Sequence, residues 1–111
     1  MKRKILIVED NVGLSQIQKD WLSRAGYDAV TAMSEPIARS LIRRMQFDLI
    51  LSDVRLPEGD GISLLEWLRK EKKDIPFIIT TEYVSVPDVV RTIKLGARDY
   101  LPKPVHRDYL L

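Results

Sequence analysis

Ile5-Leu6-Ile7-Val8-Glu9-Asp10 decides the fold. An unbroken, largely β-branched apolar run suits a strand covered on both faces, as in a parallel sheet, rather than one that alternates between core and water. Two acids end the run. A second strong run, Phe47 to Leu51, leads to another acid at Asp53, and a third, Phe77-Ile78-Ile79-Thr80, is introduced by Pro76. Segments of helical spacing lie between them. Leu14, Ile17, Trp21 and Leu22 make one stripe, closed by Gly26 as a left-handed cap. Ser34 offers an N-cap with Pro36 in the first turn of a helix striped by Ile37, Leu41, Ile42 and Met45. The turn-rich segment Pro57-Glu58-Gly59-Asp60-Gly61 precedes a third helix carried by Ile62, Leu65 and Leu68, with Ser63 and Glu66 at capping-box spacing. Ser85, with Pro87 and Asp88 behind it, opens a fourth through Val89, Val90 and Ile93 that stops near Gly96. Weaker strands at Asp28-Ala29-Val30-Thr31 and Asp99-Tyr100-Leu101 bring the number to five.

Strands alternating with helices argue for an α/β fold with a parallel sheet covered on both sides. Right-handed crossovers leave few topologies, and for five strands the flavodoxin-like, doubly wound order 2-1-3-4-5 is the expectation. Tyr109-Leu110-Leu111 comes too soon to complete a fifth helix. The expectation is therefore one domain over residues 1–111, its last helix truncated, taken from the N-terminal part of a longer protein.

Composition narrows the chemistry. Hydrophobic residues at 45% and charged residues at 31% describe an ordinary globular chain. The absence of cysteine excludes disulfides, thiolate metal sites and a cysteine nucleophile, and a single histidine excludes an imidazole-rich metal site within one chain. A bound metal must sit among oxygens, which favours Mg2+ or Ca2+. The net charge of +2 comes from 18 basic and 16 acidic residues. The densest basic run, Arg69-Lys70-Glu71-Lys72-Lys73, is interrupted by an acid and falls at a helix end, where cations complement the dipole. With no helix-turn-helix pattern, this segment is not expected to contact nucleic acid. No apolar stretch approaches the roughly 20 residues of a membrane span, and Met1-Lys2-Arg3-Lys4 is not followed by a signal-peptide core, so a cytoplasmic location without a membrane partner is expected.

In open α/β sheets ligands bind beyond the carboxyl ends of the strands. Here those ends carry Glu9-Asp10, Asp53, Thr80-Thr81 and, beyond strand five, Lys103. Adjacent strands lie about 5 Å apart, so Glu9, Asp10 and Asp53 converge if strands one and three are neighbours. Clustered carboxylates repel unless a cation joins them, and Mg2+ suits an all-oxygen set. A metal, an ammonium, a hydroxyl and a carboxylate at a turn can hold a phosphoryl group, with the carboxylate as nucleophile forming an aspartyl phosphate. Singly, each residue is ordinary. Asp53 could cap a turn, Glu9 and Asp10 could be first-turn acids, Tyr100 could serve packing, and Lys103 could face solvent. Trp21, Trp67 and Phe77 need no role beyond packing, and His106 has no identifiable partner.

The chain resembles a response-regulator receiver domain of two-component signalling over essentially its whole length. The resemblance rests on Ile5-Leu6-Ile7-Val8-Glu9-Asp10, Asp53-Val54-Arg55-Leu56-Pro57-Glu58-Gly59-Asp60-Gly61, Thr81, and Tyr100-Leu101-Pro102-Lys103-Pro104, in that order. It implies that Asp53 accepts a phosphoryl group from a histidine kinase or phosphotransfer protein. It also implies that Glu9, Asp10, Asp53 and the Arg55 backbone carbonyl hold Mg2+. Thr81 would hydrogen-bond the phosphoryl oxygens, Lys103 would pair with them, and Tyr100 would follow the position of Thr81. Spacing from Pro76 selects Thr81, and a one-residue slip to Thr80 stays open. The signal would reach an effector or partner through the face of helix four, strand five and helix five, with homodimerisation on phosphorylation left open. Such a domain catalyses only its own phosphoryl transfer and dephosphorylation.

Asp53 to Pro57 and Ile62-Ser63-Leu64-Leu65 look most similar to receivers of nitrogen-regulation-type transcriptional activators. One departure stands out. Glu82 follows Thr81 where the family usually has a small residue, so phosphorylation should be slower than in relatives. Tyr83 occupies a position that in relatives tunes dephosphorylation. The alternative supported by Glu82 is a receiver-like binding module that is never phosphorylated. A haloacid-dehalogenase-like phosphatase would need an Asp where Arg55 stands.

Overall fold

The computed structural model describes residues 2–103. In chain order its elements are β1 (Lys4–Val8), α1 (Val12–Arg24), β2 (Asp28–Ala32), α2 (Glu35–Arg44), β3 (Leu49–Asp53), the short β4 (Arg55–Leu56) and β5 (Gly59–Asp60), α3 (Gly61–Lys70), β6 (Phe77–Thr81), α4 (Val86–Lys94) and β7 (Asp99–Pro102). The main sheet runs β2-β1-β3-β6-β7, every pair parallel. Counting only its five strands, this is the order 2-1-3-4-5, the expected flavodoxin-like arrangement. The expected truncated last helix, Pro104 and His106 lie outside the described residues.

The parallel runs form strands because both faces are covered. Leu6, Val8, Ile50, Phe77 and Ile79 are buried in the larger core with Ala38, Ile42, Leu64, Leu65 and Leu68 of α2 and α3. Ile5 and Ile7 point the other way, to a smaller core with Leu22 and Ala29. Among the described residues no helix is long and apolar enough to cross a membrane.

The caps explain where the helices start. Asn11 caps α1 by accepting from the Leu14 N–H at 3.0 Å, so Glu9 and Asp10 lie before the helix rather than in its first turn. Ser34 and Ser85 cap α2 and α4 as expected. Gly26, at φ +97°, ends α1 with paired bonds from Gly26 N–H to Ser23 O and from Tyr27 N–H to Leu22 O, the Schellman arrangement.

Four expectations need correction. The third helix is capped by Asp60, whose Oδ1 accepts from the Ser63 N–H at 2.6 Å, so Ser63 and Glu66 are helix residues and not a capping box. The turn-rich segment before it belongs to an antiparallel hairpin, β4–β5. The α1 stripe is displaced: Ser15, Gln18 and Leu22 face the sheet while Ile17 stays 49% exposed, because residue 17 lies a 100° step round the helix from residue 18. Helix α4 likewise buries Thr92 and leaves Val90 and Ile93 outward, and Ile37 of α2 is half exposed.

Candidate functional site

Parallel register sets the carboxyl ends of four strands side by side: Val8 opposite Ser52, Asp53 opposite Thr80, and Thr81 opposite Pro102. Glu9 leaves β1 with its N–H bonded to Ala32 O at 2.9 Å, and Asp53 is the last residue of β3. One oxygen from each of Glu9, Asp10 and Asp53 lies within 4.8 Å of the others. Glu9 and Asp53 are buried and Asp10 is exposed, so the expected convergence is present and open to solvent on one side.

Lys103 completes the cluster. Its backbone N–H bonds to Thr81 O at 2.7 Å, extending the β6–β7 pairing, and its Nζ lies 2.6 Å from Glu9 Oε1 and 2.9 Å from Asp53 Oδ2. The side chain is 9% exposed. It does not face solvent. Burial pushes the Glu9 carboxyl above its ordinary range, opposed by the Lys103 ammonium and the Asn11 N–H. Burial by itself would lower the Lys103 pKa, but its bonds to the two carboxylates outweigh that and hold it raised, so the ammonium stays charged at neutral pH.

Asp10, Asp53, Arg55, Glu82 and Tyr83 line a cavity of about 210 Å3 beside the cluster. The Arg55 N–H donates to Asp53 Oδ1 at 3.3 Å, and the Arg55 guanidinium lies 4.9 Å from the centre of the Tyr83 ring. Glu82 is exposed where it lines that cavity. Thr81 is buried, and its hydroxyl donates to Tyr83 O at 3.0 Å while accepting from Tyr83 N–H at 3.1 Å. Thr80, across from Asp53 in register, donates its hydroxyl to Ser52 O at 3.5 Å. The Tyr100 ring packs on the larger core, and its hydroxyl is buried with no hydrogen-bond partner among the described residues.

The side-chain donors at this edge are carboxylates, hard oxygens that fit Mg2+. Carboxylates on neighbouring strands, an ammonium against them and a hydroxyl one strand away can hold and neutralise a phosphoryl group. Sequence reasoning missed two features of the site. The stacking of Arg55 on Tyr83 joins a residue of β4 to one in the loop after β6. Glu35, from α2, accepts a hydrogen bond from the Asp60 N–H at 2.9 Å, and no spacing rule connects residues so far apart in the chain.

Residues 5–111 match the family described as the response regulator receiver domain. The transcriptional regulatory protein ZraR of Escherichia coli K12 is 40% identical over 106 residues, which is 96% of this chain and 24% of that protein. The chain thus spans about a quarter of that relative's length. The non-phosphorylated HemR receiver domain of Leptospira biflexa superposes with a TM-score of 0.91 at 37% identity, covering 98% of this chain and 88% of that one. A Burkholderia pseudomallei response regulator, solved with a phosphorylated aspartic acid, a calcium ion and citrate, superposes at 0.90 with 28% identity, over 98% of this chain and 64% of that one.

Proposed function

This chain belongs to the response regulator receiver domain family, and from that premise we propose that it is a phosphorylation-controlled switch whose phosphoacceptor is Asp53. The cluster of Glu9, Asp10 and Asp53 against Lys103 carries this reading. One Asp53 carboxylate oxygen attacks the phosphorus of a phosphohistidine on a kinase or phosphotransfer protein, and the imidazole nitrogen departs. Glu9, Asp10, Asp53 and the Arg55 carbonyl would hold Mg2+, which when bound offsets charge on the carboxylates and the incoming phosphoryl oxygens. The phosphorylated and calcium-bound Burkholderia relative supports both parts of the assignment.

Lys103 then exchanges Asp53 for a phosphoryl oxygen, and the Thr81 hydroxyl exchanges Tyr83 for another. Charge-assisted hydrogen bonds contribute about 1.5–3 kcal/mol each, enough to shift a two-state equilibrium separated by a few kcal/mol. Tyr100 follows Thr81. The output surface is the face of α4 and β7, where Val86, Val90 and Ile93 are already exposed, the fifth helix expected beside them falling outside the described residues. Phosphorylation can also favour a homodimer there. The domain is the N-terminal part of a longer cytoplasmic transcriptional regulator of the nitrogen-regulation type, in keeping with ZraR, and catalyses only its own phosphoryl transfer and hydrolysis.

The test is intact-mass spectrometry after acetyl phosphate and Mg2+. Wild type gains one phosphoryl group and Asp53→Asn gains none. The second reading, a binding module that is never phosphorylated, is favoured by Glu82 beside the site. It is the outcome if wild type gains no mass and binds no Mg2+.

A further inference from the structure

Glu35 is the first residue of α2, three residues beyond the end of β2, and an acid there has an ordinary explanation in the helix dipole. Its surroundings go further. The residue is 3% exposed, and its carboxylate faces the β4–β5 hairpin. Oε1 accepts from the Asp60 backbone N–H at 2.9 Å, and Oε2 accepts from the Ser63 hydroxyl at 3.2 Å and from Arg39. The Arg39 and Arg43 guanidiniums both lie 5.2 Å from the centre of the Trp67 ring, tying α2 to α3. Asp60 pairs in register with Arg55, whose carbonyl would hold the metal.

The hairpin has no slack on either side. A Cβ at Gly59 would run into the Glu35 carboxylate, and a Cβ at Gly61 would run into the Asp53 carbonyl oxygen. The Gly61 N–H also bonds to Val54 O at 2.7 Å. An unbroken series of contacts thus runs from Glu35 through Asp60 and Arg55 to the residue that ends β3. We propose that Glu35 is a positioning residue for Mg2+ binding: from α2 it fixes the hairpin that places the Arg55 carbonyl beside Asp53. This rests on the functional reading above and adds a residue to it that touches neither metal nor phosphoryl group.

Outer contacts of this kind change metal affinity by roughly 10–100-fold when removed. The experiment titrates Mg2+ against the folded protein by NMR, reading the amides of Asp53 to Gly61, with melting in chelator measured alongside. Glu35→Ala is expected to weaken Mg2+ by about tenfold or more. Glu35→Gln keeps an acceptor for the Asp60 N–H and is expected to recover most of that loss, a rescue that a general loss of stability does not give. Mg2+ affinity of folded Glu35→Ala within about twofold of wild type, well below that range, overturns the proposal. Should Glu35→Ala fail to fold, Glu35→Asp, one methylene short, must weaken Mg2+ in the same sense, and equal affinity overturns the proposal there. Wild type that binds no Mg2+ removes the functional reading itself, whereas wild type that binds while every Glu35 variant matches it removes only the role of Glu35.

Discussion

Replacing Lys103 with methionine keeps most of its aliphatic bulk and removes the ammonium that lies 2.6 Å from Glu9 and 2.9 Å from Asp53. Both acids are largely shielded, with side chains 2% and 9% exposed, so water replaces the counter-ion only in part. Removing one partner of a buried ion pair costs about 3–5 kcal/mol, and the lower figure applies because Glu9 can take up a proton. At about 4 °C per kcal/mol for a domain of this size, Tm in chelator should fall by about 12 °C. Millimolar Mg2+ should then restore much of the loss, and should raise Tm more in Lys103→Met than in wild type, where the ion competes with the ammonium for Asp53. The deficit also depends on pH. Burial already raises the Glu9 pKa above its ordinary 4.5, so the native state takes that proton before the unfolded chain does. A group of this kind adds stability as pH falls through its raised value, and the variant's deficit should narrow between there and 4.5. Thermal melts followed by circular dichroism, with chelator and with Mg2+, read all three effects. A variant as stable as wild type in chelator, or one that Mg2+ stabilises no more than wild type, refutes the reasoning.

Glu82→Ala should speed phosphorylation by acetyl phosphate about fivefold, since like unit charges at close range cost about 1 kcal/mol even in water; equal initial rates remove the idea. Gly61→Ala should push the hairpin off the Asp53 carbonyl and weaken Mg2+ while the sheet still forms, and calorimetric titration showing wild-type affinity contradicts it. Phe77→Ala, at a fully buried position of the larger core, should cost about 3–5 kcal/mol in a urea melt, and a loss under about 1 kcal/mol would mean that the core is not packed as described.

The sheet was legible because strands covered on both faces leave no polar residue in their runs, as in Ile5 to Val8. The acids at their ends followed once neighbouring strands put them about 5 Å apart. Ser34 and Ser85 could be read because an N-cap acts on its own next turn. The face of α1 could not, because Ser15 and Gln18 are polar and yet buried, and an apolar stripe points the wrong way when polar side chains lie against the sheet. Asp60 was overlooked as a cap because it sits among turn residues that suggest a loop by composition alone. Lys103 was placed at the right edge, but its contacts with Glu9 and Asp53 span 94 and 50 residues and follow only from the folded register. The bond from Ser63 to Glu35, across 28 residues, left no trace in any local pattern.

A crystal grown with Mg2+ and beryllofluoride, which mimics a phosphoryl group on a carboxylate, tests the central claim most directly. The account predicts one ion held by Glu9, Asp10, Asp53 and the Arg55 carbonyl, with beryllium joined to an Asp53 oxygen and both Thr81 Oγ1 and Lys103 Nζ turned onto its fluorides. A beryllofluoride group elsewhere, or Asp53 still paired only with Lys103 while Asp10 stands free, would contradict it.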